Sequence, residues 1–164
     1  MILRPFTMDD VEGMWEVNKD PEVTKYTGDP FHSIEEMEER IARMLSHDYE
    51  VHGYGRFALI WKENNELIGF SGLKYESEHF ATDLGYRMKK VYWGRCIATE
   101  SSIASLDFGF NELKLDRIIA LAMEENDASI RVMEKVGMTY DGIVVDSISP
   151  AIQYSIKMSE FKHP

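Results

Sequence analysis

Cysteine occurs once in these 164 residues, at Cys96, so no disulfide can close within the chain. A lone thiol suits a reducing compartment, and a cytoplasmic protein is expected. Long apolar runs are also missing, since none approaches the roughly 20 residues that a membrane-spanning helix needs. The opening Met1-Ile2-Leu3-Arg4-Pro5 has no basic head followed by an apolar core, so no secretory signal is expected there. Positive charge is scarce. Lys and Arg number 18 against 29 Asp and Glu, a formal charge of -11, which argues against general affinity for nucleic acid or an anionic membrane. The five histidines (His32, His47, His52, His79, His163) show no metal-ligand spacing, and no metal is expected. Repeats, low-complexity tracts and linkers are absent.

What remains is the composition of a folded chain. Hydrophobic residues make up 44% and aromatic residues 12%, enough to bury a core, and the length suits one domain over residues 1–164. The acidity is uneven. Residues 1–86 carry 8 basic and 18 acidic side chains, whereas residues 87–164 carry 10 and 11. If the halves face each other across a cleft, the first should favour a cation and the second should tolerate an anion.

Periodicity places the elements. Ile2-Leu3-Arg4-Pro5-Phe6 reads as a short strand ended by proline. Thr7 with Asp10 signals a helix start ahead of Val11, Met14 and Trp15. The breakers Asp20-Pro21 and Gly28-Asp29-Pro30 make residues 20–32 a loop or broken helix. Ser33 with Glu36 forms a capping-box pattern before Met37, Ile41, Met44 and Leu45 on one helical face. Strands are expected over residues 57–61, 67–73 and 81–88. Residues 89–97 then form a loop opening a helix that buries Ile103, Leu106, Phe110 and Leu113. A strand over residues 117–122 precedes a helix capped by Asn126 or Asp127 and stopped by Gly137. Residues 140–145 and 152–158 read as closing strands. Helices first, a three-strand run, then strand–helix units imply an α+β or mixed α/β layer fold.

Chemistry is concentrated in two segments of the second half. Tyr92-Trp93-Gly94-Arg95-Cys96-Ile97-Ala98-Thr99-Glu100 joins a strand to a helix. A helix N-terminus presents unpaired N–H groups and the positive end of the dipole, which suits a phosphate or pyrophosphate. Lys89, Lys90 and Arg95 add positive charge. The segment is neither a Walker A loop nor a G-x-G-x-x-G fingerprint, which disfavours nucleotide kinases and dinucleotide oxidoreductases. The second segment is Glu125-Asn126-Asp127-Ala128-Ser129-Ile130-Arg131-Val132-Met133-Glu134-Lys135-Val136-Gly137-Met138. Together the two resemble the GNAT superfamily of N-acetyltransferases, and look closest to the branch of ribosomal-protein N-terminal acetyltransferases of the RimJ/RimL type. There the loop reads W-G-x-G-x-A-T-E and the later motif N-x-x-S-I-R-V-x-E-K-x-G-F. Leu3-Arg4-Pro5-Phe6, Asp20-Pro21-Glu22-Val23, Leu67-Ile68-Gly69 and Asp83-Leu84-Gly85-Tyr86 extend the resemblance, in order, over nearly the whole chain.

The resemblance implies a central mixed sheet of about seven strands, splayed in the middle, with helices on both faces. It implies acetyl-CoA as co-substrate, no metal, and direct attack of an uncharged primary amine on the thioester, with backbone N–H groups stabilising the oxyanion. Tyr86, Arg87 and Met88 match the strand end that pairs with the pantetheine arm. Trp93, Gly94, Arg95, Cys96, Ile97, Ala98 and Thr99 match the pyrophosphate loop and helix start, with Trp93 anchoring the loop by packing. Asn126 matches the residue that bonds the cofactor arm, and Ser129 lies beside it near the thioester sulfur. The acceptor would be a protein N-terminal amine, a polyamine, an amino acid or an aminoglycoside. The charge argument makes it cationic, and loops over residues 20–32 and 47–56 would border it. Dimers are common among relatives, so a homodimer is compatible.

Two departures from the family pattern matter. Cys96 stands where the pattern has its central glycine, a substitution that costs about 1 kcal/mol if φ is positive. A redox-sensitive thiol is the rival reading of that position. Met133 stands where many members have the tyrosine that protonates the leaving thiolate, and methionine has no proton to give. Ser129 is then the candidate general acid, with Tyr140 and Tyr154 as fallbacks; its competing role is a helix cap. Asp83 is the candidate base, through water, against a solvated strand-end charge, and His79 is a minor base candidate. Two other classes compete: a non-catalytic acyl-CoA-binding or regulatory module, and a general phosphate-ligand protein.

Overall fold

The computed structural model describes residues 1–28, 31–145 and 150–162; Asp29, Pro30 and His163, singled out above, lie outside them. Seven strands form one sheet: β1 (Ile2–Arg4), β2 (Arg56–Trp61), β3 (Glu66–Glu76), β4 (Ala81–Met88), β5 (Arg117–Ala122), β6 (Thr139–Val145) and β7 (Pro150–Lys157). Their order is β1-β2-β3-β4-β5-β7-β6. Only the β4–β5 pair is parallel; the other neighbours are antiparallel. This is the expected mixed sheet, and β4 and β5 occupy the ranges that periodicity predicts.

Helices start where short polar side chains replace missing backbone partners. Asp10 accepts from the Thr7 N–H at 2.9 Å and from both Arg4 Nη atoms at 2.7 Å, ahead of a 3-10 turn (Met8–Asp10) and α1 (Val11–Asn18). Asp20 accepts from the Glu22 N–H at 2.9 Å and starts α2 (Pro21–Thr24), so the broken-helix reading holds there. Ser33 caps α3 (Ile34–Arg43) by accepting from the Glu36 N–H at 3.3 Å, while Glu36 reaches past it to the His32 N–H at 2.9 Å.

The expectation of a loop from residue 47 is corrected. Beyond α3 the chain continues as a π-helical stretch (Met44–Tyr49) and a last turn, α4 (Glu50–His52), before Gly53 ends it at φ 77°. Tertiary contacts override the local signal. Met44, Leu45 and Tyr49 prolong the apolar stripe against Phe6, Met14, Met37 and Ile41. The Tyr49 hydroxyl also accepts from the Phe6 N–H at 3.0 Å and donates to the Arg56 carbonyl at 2.5 Å.

Strand alternation separates the two faces of the sheet. Ala58, Ile60 and Leu67 pack with α1 and α3, whereas Leu59 and Ile68 pack with Tyr92 and Ile97 on the other. That second face carries α5 (Ile97–Asp107), prolonged by a π-helical stretch (Phe108–Glu112), and α6 (Asp127–Lys135). Leu106 and Phe110 are fully buried there, while Ile103 and Leu113 are partly covered. No helix among the described residues is long and apolar enough to cross a membrane.

The sheet parts in its middle. β4 and β5 pair only at Thr82↔Ile118 and Asp83↔Ile119, although β4 runs on to Met88 and β5 to Ala122.

Candidate active site

The site begins at Asp83, the last residue of β4 that pairs with β5. Arg56 lies across the sheet and donates through Nη1 to the carbonyls of Gly72 at 2.5 Å and Asp83 at 2.7 Å, and through Nη2 to Asp83 Oδ2 at 2.5 Å. A Cβ on Gly85 would meet that Nη2 at 2.6 Å, so only glycine lets the guanidinium lie against the strand. Asp83 is therefore buried and ion-paired, not a solvated strand-end charge.

Past Asp83 a cleft of about 540 Å³ opens between α1 and α3 on one side and the edge of β5 with the start of α6 on the other. Asp83, Tyr86, Arg87, Asn126 and Ser129 all line it, as does His79. Met88 is buried instead, against Leu59 and Ile68. Asn126 caps α6, its Oδ1 accepting from the Ser129 N–H at 3.2 Å. The cap is thus Asn126, and the Ser129 hydroxyl is left for the cleft. There it accepts from the Tyr86 hydroxyl at 3.1 Å. Burial holds the Tyr86 phenol above the ordinary tyrosine value, against a smaller opposing pull from Ser129, so Tyr86 is a protonated donor at neutral pH.

The fallback donors are placed elsewhere. Tyr154 bonds Glu134 at 3.3 Å, Tyr140 is exposed with its ring edge on Tyr154, and neither lines the cleft. Met133 is buried in the core. The reading of the sequence missed the Tyr86 hydroxyl, because its partner lies 43 residues away and no local pattern signals the contact.

The loop before α5 departs from expectation in two ways. Trp93 is 46% exposed and anchors the loop by donating from Nε1 to the Met88 carbonyl at 2.9 Å, not by burial. Lys89 and Lys90 pair with Glu66 at 2.6 Å and Glu22 at 2.5 Å, so their charges are matched within the protein. Lys89 and Tyr92 in turn hold the Glu66 carboxyl below its ordinary range. Arg95, over the Tyr92 ring at 5.5 Å, and the open end of α5 supply the positive potential. Cys96 has φ 60° and ψ 7°, the left-handed conformation that a glycine would adopt without strain. Cys96→Gly is expected to raise stability by about 1 kcal/mol, or Tm by roughly 2–4 °C. Calorimetry checks this, and an unchanged acetyl-CoA KM in the same variant would remove any binding role for the thiol.

The cleft is less acidic than the charge split suggested. Asp48, Glu76, Glu78 and Asp83 line it beside Arg40, Arg56, Lys74 and Arg87, with Lys74 on Glu76 at 3.0 Å and Arg56 on Asp83. Among the described residues no group of three or more His, Cys, Asp or Glu side chains is placed to hold a metal ion. The geometry suits a ligand with an extended amide-bearing arm and a phosphate end. The β4 edge past Asp83 offers peptide donors and acceptors not taken by β5, and the exposed turn at Gly94 and Cys96 leads into the N-terminus of an 11-residue helix.

Comparison with known proteins agrees with this geometry. Residues 1–139 match the family model described as an acetyltransferase (GNAT) domain. An uncharacterized N-acetyltransferase, p20 of Bacillus licheniformis, is 30% identical over 149 residues, 89% of this chain and 83% of that one. The crystal structure of a GNAT-family acetyltransferase from Bacillus anthracis superposes with a TM-score of 0.80 at 30% identity, over 96% of this chain and 95% of that one. Spermidine N-acetyltransferase from Vibrio cholerae, in complex with CoA and spermine, shares the fold with a TM-score of 0.79 at 20% identity, over 97% and 96%. The chain belongs to the GNAT family of acetyltransferases and is an acetyl-CoA-dependent N-acetyltransferase.

Proposed function

We propose that the parted strands β4 and β5 hold acetyl-CoA with its acyl end at Ser129 and that a primary amine reaches it from the α1–α3 side. The observation that carries this reading is the loss of β4–β5 pairing past Asp83 with the Ser129 hydroxyl in the gap. Tyr86, Arg87 and Met88 present the backbone for the pantetheine arm, and Trp93 to Thr99 the N–H groups for the pyrophosphate. Asn126, its Oδ1 committed to the cap, offers Nδ2 to the arm. Bound there, acetyl-CoA supplies an activated acetyl thioester. The acceptor nitrogen bonds the acetyl carbon as the carbon–sulfur bond breaks, and the sulfur leaves with the electron pair. Asp83 takes the amine proton through water with Oδ1, its other oxygen being held by Arg56, and Ser129 directs its proton at the sulfur. A non-catalytic acyl-CoA module would rest on the missing tyrosine at Met133, and Ser129 answers that absence.

For the acceptor we propose a primary amine flanked by positive charge, on a compact cation or a protein N-terminus. The carboxylates of Asp48 and Glu78 support it, while the arginines beside them favour a compact charge over a polycation. The RimJ/RimL-like placement, which rests on the Trp93–Glu100 and Asn126–Gly137 motifs, favours the protein N-terminus. A cytoplasmic setting rests on the single thiol, and a homodimer on the resemblance alone.

Thiol release with an amine panel tests both levels. Peptides with basic residues behind a free N-terminus, and compact cationic amines, should turn over faster than neutral or acidic-flanked ones, with the gap narrowing as salt rises. Equal turnover of acidic-flanked amines at low salt would overturn the acceptor reading. CoA binding without turnover of any amine would overturn the proposed transfer site.

A further inference from the structure

We propose that Tyr86 is a positioning residue for acetyl transfer: by donating its hydroxyl proton to Ser129 Oγ, it fixes the direction in which Ser129 presents its own proton to the departing sulfur. The inference rests on the reading of Ser129 given above. A serine hydroxyl carries one proton and rotates to suit its neighbours. Early in a helix it ordinarily turns toward a nearby backbone group. Ser129 makes no such bond: its backbone N–H goes to Asn126 Oδ1, and its Oγ accepts from Tyr86. No other partner of Ser129 Oγ occurs among the described residues. With one lone pair occupied by Tyr86, the serine proton is left to face the cleft that both side chains line.

The backbone explains how residues so far apart in sequence meet. Tyr86 lies three residues past Asp83, where β5 has withdrawn from β4, so the phenol is free to cross to the first turn of α6. The sulfur does not take the tyrosine proton outright. An ordinary thiol titrates near about 8.5 and a phenol near about 10, so the phenol holds its proton while the thiolate leaves. The two hydroxyls therefore act as a chain of donors, Tyr86 to Ser129 to sulfur, each bond polarising the next. The sulfur leaves with its electron pair and is protonated later from solvent.

Tyr86→Phe tests the proposal, since it removes one oxygen and keeps the ring. We expect kcat to fall roughly three- to tenfold, the range for one lost hydrogen bond, with the KM for acetyl-CoA unchanged. In the complex with CoA, ultraviolet titration of thiolate absorbance should place the thiol pKa higher in the variant by roughly half to one unit. In a Ser129→Ala background, Tyr86→Phe should cost nothing further, because the effect passes through Ser129.

An unchanged kcat and thiol pKa in folded Tyr86→Phe, or a loss that adds fully to that of Ser129→Ala, would overturn the inference. If Tyr86→Phe does not fold, fluorotyrosine at position 86 keeps the shape and strengthens the donor. A lower bound-thiol pKa then supports the proposal, and an unchanged one overturns it. The two levels separate cleanly. Full activity of Ser129→Ala removes the reading of Ser129 itself, whereas a slow Ser129→Ala with a normal Tyr86→Phe removes only the role of Tyr86.

Discussion

Methionine in place of Arg56 is expected to destabilise the fold by about 3–5 kcal/mol, the cost of leaving a buried carboxylate without its partner. For a chain of this size that lowers Tm by roughly 6–20 °C. The side chains of Arg56 and Asp83 are only 14% and 11% exposed, so water entering from the cleft side replaces the lost guanidinium only in part. Arg56→Met also strips donors from the Gly72 and Asp83 carbonyls. Adding Asp83→Asn removes the stranded charge and should recover part of the loss. Calorimetry of the single and double variants checks this; a single variant within about 1 kcal/mol of wild type would mean that water in the cleft makes good the lost guanidinium and that the pair is worth no more than a surface one.

Ser129→Ala is expected to lower kcat by roughly 10²-fold, the lower end for removing one hydrogen-bond donor aimed at charge that develops in the transition state. The lower end applies because a thiolate leaves readily, its conjugate thiol titrating near about 8.5. The KM for acetyl-CoA should stay close to wild type. The loss would not come through the fold, because Asn126 caps α6 and the Ser129 hydroxyl is not used for that purpose. Steady-state kinetics and a thermal melt on the same preparation separate the two. A fall in kcat below threefold would mean that the sulfur leaves without help from this hydroxyl.

Much of the fold was legible because its signals are local. The short segments 81–88 and 117–122, the second a continuous apolar run after Arg117, read as strands with the observed bounds, and the Ser33 and Asn126 caps sit where short oxygen-bearing side chains meet unpaired N–H groups. The helical run to His52 was not legible, since it depends on Tyr49 bridging Phe6 and Arg56 across the fold. Nor were the partners of Lys89 and Lys90. Both looked like free cations at the loop, and both reach back to carboxylates of the acidic first half, at Glu66 and Glu22.

By itself, then, the sequence determined the element order, the family, and the residues that could bear chemistry, since each follows from residue types at short spacing. The tertiary structure alone decided which of them meet. It paired Asp83 with Arg56 across 27 residues and Tyr86 with Ser129 across 43, and it sent Tyr154 to Glu134 instead of the cleft. It also set Cys96 in the left-handed conformation. The physical reason is common to all of these. A hydrogen bond or ion pair forms where the packed sheet and helices bring its groups within about 3 Å, and that distance is a property of the whole fold, not of any stretch of its sequence.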